Sequence, residues 1–141
     1  MSRYINTDGP GKRRNQLMRT CAELLRRLSQ KGTIDADSKN MLSMLVFSLR
    51  DIDAGIEESS KAWEKRDYWM KAEEFRQRWS WSGLYADTLS ALIYEERWGD
   101  LPDVMLKLLP YFAEIKVTKF TRDEKLWSGD YAQLMDEKPA R

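Results

Sequence analysis

Leu42, Leu45, Leu49, Ile52 and Ile56 advance in alternating steps of three and four, a spacing that an α-helix gathers onto one face and a strand would scatter over two. The same stepping recurs upstream, where Leu17, Cys21, Leu24 and Leu28 form a stripe widened by Met18 and Leu25. Glycine and proline fall almost entirely between such segments. Alternating apolar runs and Asn-Gly hairpin turns are absent, so nothing calls for a sheet. The chain is therefore expected to be all-α and, at 141 residues, a single domain. About five main helices and a short C-terminal one would pack as a bundle or an antiparallel hairpin array.

The first helix fits Gly11 to Lys31, with Gly32 as its C-terminal cap and residues 1–11 a flexible arm. Asp35 or Asp37 suits the N-cap of the second, and Gly55 marks a site for a bend. Next comes "AWEKRDYWMKAEEFRQRWSW", Ala62 to Trp81, read as a third helix or a continuation of the second. Ser80 to Gly83 is expected to interrupt it. A fourth helix then runs to about Arg97, with Leu84, Tyr85, Leu89, Leu92 and Ile93 inward. Gly99 stops that helix, Asp100 caps a fifth, and Pro102 lies in the fifth's first turn. Val104, Met105, Leu108, Leu109 and Phe112 make its stripe, with a kink at Pro110. Thr121 to Glu124 reads as a capping box before the short last helix, and residues 136–141 as a frayed tail.

Several chemistries drop out. The chain has no histidine and one cysteine, Cys21. It therefore lacks the parts of His-based triads, zinc sites and Cys-x-x-Cys redox centres. "GPGK", Gly9 to Lys12, has neither the length nor the preceding strand of a phosphate loop. Glu64-x-x-Asp67 and Asp100-x-x-Asp103 are the nearest approach to a magnesium site, but no Glu-x-x-Glu completes the set. A magnesium-dependent hydrolase is accordingly the remotest of three readings, and no catalytic residue, metal or cofactor is expected. No secretory signal or spanning segment is present in the sequence given, and a cytoplasmic, soluble protein without membrane contact is expected.

Two surfaces remain. Treated as one helix, the tryptophan-rich stretch places Tyr68, Ala72, Phe75 and Trp79 on a core stripe with Trp69 at its shoulder. Trp63, Met70 and Trp81 fall on the opposite side. Tryptophan, methionine and arginine are the residues that interface centres enrich. Trp63, Arg66, Met70 and Trp81 are thus the candidate contacts for another protein chain, including a second copy in a homodimer. This is the leading reading: a non-enzymatic scaffold, adaptor or small subunit. The alternative rests on charge. Net charge is +1, yet residues 1–32 carry eight basic side chains against two acidic ones. Lys12, Arg13, Arg14, Arg19, Arg26 and Arg27 could together meet the phosphates of a nucleic acid.

Overall fold

The computed structural model describes residues 9–140, and residues 1–8 of the expected arm and Arg141 of the expected tail lie outside them. Three long helices set the frame: α1 (Pro10–Gln30), α2 (Ala36–Glu64) and α3 (Trp69–Tyr94). Shorter pieces close it, namely α4 (Leu101–Leu108), a tight turn of 3-10 helix over Leu109–Phe112, α5 (Glu124–Trp127) and α6 (Asp130–Asp136). No strand occurs among the described residues. The all-α class holds, as do the stripes of α1 and α2.

The helices start where chemistry lets them. Pro10 stands in the first turn of α1, where its missing N–H is no loss. Asp35 caps α2 by accepting from the Ser38 N–H at 2.8 Å. α2 then runs for 29 residues, about 43 Å, and passes Gly55 without a break. Leu42, Leu45, Leu49, Ile52 and Ile56 are all buried along it. α3 packs back against α2 as the second arm of a long hairpin through Ala72, Phe75, Ala86, Leu89 and Ile93. α1 covers one side of that hairpin. α5 and α6 lie against α2, where buried Trp127 donates to Asp37 at 2.8 Å and the Tyr131 N–H to Asn40 at 2.9 Å.

The boundaries of the middle segment differ from the expectation. The chain reverses at Lys65 to Tyr68, and Ser80 to Gly83 lies inside an unbroken α3. Gly83 is a point of close approach: a Cβ there would sit 2.9 Å from Asp53 Cγ. Its lack of a side chain serves packing, not termination. At the turn, Tyr68 N–H reaches back to Trp63 C=O at 2.9 Å and Asp67 N–H to Glu64 C=O at 3.0 Å. Asp67 takes φ 64 to make this possible, the role glycine ordinarily fills. Glu96 at φ 53 does the same after α3, so that helix ends before Gly99.

Other local expectations also change. Gly32 caps nothing with a left-handed turn, because α1 ends through an extended Lys31. Asp100 makes no side-chain cap and pairs with Arg97 at 2.8 Å. Leu84 is exposed, because α3 turns Ser82, Ala86, Leu89 and Ile93 inward and leaves it on the far side. Leu109 is exposed where Pro110 tightens the backbone into 3-10 geometry. Thr121 forms no capping box, since both its N–H and its hydroxyl go to Glu23. Asp123 caps α5 instead. Asp136 closes α6, and the next residue of the expected frayed tail, Glu137, pairs with Arg50 at 2.8 Å.

Candidate partner-binding surfaces

The four residues singled out in the tryptophan-rich stretch do not share a face, because the turn at Lys65 to Tyr68 divides them between α2 and α3. Trp63, in the last turn of α2, is half-buried with its ring edge-on to Phe75, centroids 4.7 Å apart. Trp81 is buried. It stacks on Tyr111 at 4.3 Å with the planes 11° apart and meets Phe112 edge-on at 5.5 Å. Trp81 thus ties α3 to the segment after α4. Arg66 and Met70 lie at the turn and are exposed.

What the turn presents is a cluster that the single-helix reading did not group. Tyr68, Trp69 and Met70 are consecutive and 50%, 61% and 80% exposed. Tyr68, assigned to a core stripe, precedes α3 and so follows the turn instead of the helix face. Cations ring the cluster. The Arg66 guanidinium lies 5.5 Å from the Tyr68 ring, and Lys71 Nζ is 4.6 Å from the Trp63 ring. Lys65, Arg66 and Lys71 have no ion-pair partner among the described residues.

The platform beneath is held firmly. Arg76 on α3 bonds both Glu57 and Glu64 on α2, each through two hydrogen bonds. These contacts raise Arg76 above its ordinary value and lower both glutamates. Glu64 is therefore committed to Arg76. Asp103 faces Lys107 at 3.2 Å and Asp100 faces Arg97 at 2.8 Å. Three of the four carboxylates read for magnesium, all but Asp67, therefore face cations of their own chain. No group of three or more Asp, Glu or Cys suited to a metal occurs among the described residues.

The basic face of α1 is put to internal use. Residues 116–122 cross it as a strap, and Arg19 donates to the carbonyls of Lys116 at 3.1 Å and Lys119 at 2.8 Å. Arg27 donates to the Arg122 carbonyl at 2.9 Å and lies 4.1 Å from the Phe120 ring. Glu23, on the same helix, is 1% exposed. It accepts from Arg19 at 2.8 Å, from the Thr121 N–H at 2.7 Å and hydroxyl, and from the Arg122 N–H at 2.9 Å. Burial alone would push this carboxyl up; the bonds from Thr121, Arg19 and Arg122 outweigh it and hold the group at about 2. Arg14 sits over Phe75 and Trp79 at 5.1 and 5.3 Å. Arg13 and Arg14 also line a small cavity of about 180 Å³ against α2, together with Asp51 and Glu58. Lys12 and Arg26 are the exposed members of the set.

Cys21 is fully buried and its thiol is driven above its ordinary range by that burial, which leaves it unreactive. No helix among the described residues is long and apolar enough to cross a membrane. Comparison with known protein families, curated proteins and solved structures finds no match.

Proposed function

We propose that this chain is a non-enzymatic, cytoplasmic interaction protein that engages another protein chain through the α2–α3 turn. The observation that carries this reading is the run Tyr68, Trp69 and Met70, three large side chains left 50–80% exposed on a turn fixed by hydrogen bonds. Exposed rings normally cost solubility, and contiguous apolar groups on a rigid support are what binding sites offer. Aromatic side chains lose little conformational entropy on docking, and the Arg76 clamp has already ordered the backbone beneath them. The surrounding Lys65, Arg66 and Lys71 favour a partner with a concave apolar pocket and an acidic rim.

The test is quantitative capture from the source cell with wild type and with a Trp69→Ala/Met70→Ala variant of unchanged melting temperature. One defined protein should be enriched by wild type, rebind it when purified, and be lost with the variant. Equal recovery by both proteins would remove the turn from the binding surface.

A further inference from the structure

A second surface lies beside α1, bordered at one end by Val117 of the strap, and does not depend on the turn. Between α1 and α4 run two open apolar volumes of about 510 and 620 Å³. They meet at Ser29, Leu106 and Leu109, which line both, so together they form one cleft. Its walls keep their leucines outward, with Leu106 67% and Leu109 43% exposed. α4 is amphipathic in two directions: Leu101 and Leu108 bury against the body, while Leu106 is left without cover.

We propose that this cleft receives an amphipathic helix of a partner protein, apolar on its buried side and acidic along the edge that faces α1. Length supports a helix. The α1 wall runs from Ala22 to Lys31, roughly 14 Å at 1.5 Å per residue, room for two or three anchors spaced as i, i+4 and i+7. Openness along that length suits a rod lying in it better than an enclosed small molecule. Charge sets the sign of the edge. Among the described residues, Arg26 and Lys31 are the only charged ones lining the cleft. Lys31 is already paired with Asp35 at 3.1 Å and Asp37 at 3.4 Å. Arg26 is exposed and has no ion-pair partner among the described residues. It carries the selection. A second copy would bring the same unpaired Arg26 to this wall and so repel at the point where contact is needed.

Fluorescence anisotropy on the full chain tests this with three labelled 16-residue helical peptides. One has leucines at the anchor positions and glutamates on the flanks, the second has lysines for the glutamates, and the third is a scramble of the first. The glutamate peptide should bind wild type and the lysine peptide should not. Arg26→Glu should weaken the first by about tenfold, the effect of one ion pair, and gain the second. Leu106→Ser should weaken the glutamate peptide, and Trp69→Ala should leave it unchanged, which separates this site from the turn. Both Arg26 and Leu106 are exposed, so circular dichroism of the variants should match wild type, and Arg26→Gln serves as a milder replacement. Three results would overturn the proposal: no binding of the glutamate peptide, equal binding of all three peptides, or loss of binding in Trp69→Ala. A light-scattering mass of two chains that Leu106→Ser reduces to one would assign the cleft to self-association instead.

Discussion

The outer face of α1 and the turn between α2 and α3 both stand out in the sequence, one for its cations and the other for its rings, and folding treats them oppositely. Arg19 and Arg27 look available for an external anion, yet they hold carbonyls nearly a hundred positions away, Lys116 and Lys119 for Arg19 and Arg122 for Arg27. Tyr68 looks committed to packing, yet it and Trp69 remain half or more exposed. Charge along a helix therefore says little about availability until the segment lying over it is known. Aromatic residues beside a turn are equally poor guides to burial when the turn itself is misplaced.

The contrast can be broken or sharpened by substitution. The largest effect is expected at Trp81, whose rings and neighbours join α3 to Tyr111 and Phe112. Trp81→Ala should cost about 3–5 kcal/mol, read by chemical denaturation. Glu23→Ala should come next. It leaves the Thr121 and Arg122 N–H groups without their acceptor, at about 2–4 kcal/mol, with the strap loosened first. The same carboxylate gives a pH signature. Its folded value lies below the unfolded one, so its contribution is complete above about 4.5 and is lost as pH falls toward about 2. Acid titration followed by amide exchange over residues 116–122 should show this loss in wild type, and not in Glu23→Ala.

Smaller effects belong to the turns. Glu96→Gly should stabilise the protein by about 1 kcal/mol by relieving a left-handed backbone, and Asp67→Gly by less, because aspartate tolerates that region better. Smallest of all, Trp69→Ala and Met70→Ala should each change stability by under about 0.5 kcal/mol, in sharp contrast with Trp81→Ala. A loss at Trp69 as large as at Trp81 would mean that the turn is packed and not presented.

Much of the architecture was legible because it is local. The stripes Leu17 to Leu28 and Leu42 to Ile56 repeat at helical spacing, and Asp35 acts within a turn of itself. Misreadings arose where a residue has two uses. Gly83 resembles a helix stop but allows α3 to approach Asp53. Asp67 and Glu96 perform the reversal that glycine usually marks, so the true turns carried no signal. Thr121 matched a capping box locally, while its partner is Glu23, 98 positions away. Of the candidate contacts, Arg66 and Met70 follow from residue type and helical position, and the turn leaves both exposed. The grouping of Tyr68 and Trp69 with them required the position of the turn, and the α1–α4 cleft required tertiary packing.

Photo-crosslinking asks most directly whether the turn meets a partner. A photoreactive residue placed at position 69, and separately at exposed position 78 on α3, would be activated in the source cell and its adducts resolved by mass. A single discrete protein adduct from position 69, absent from position 78, is the expected result. No adduct from position 69, or the same adducts from both positions, would contradict a docking role for the α2–α3 turn.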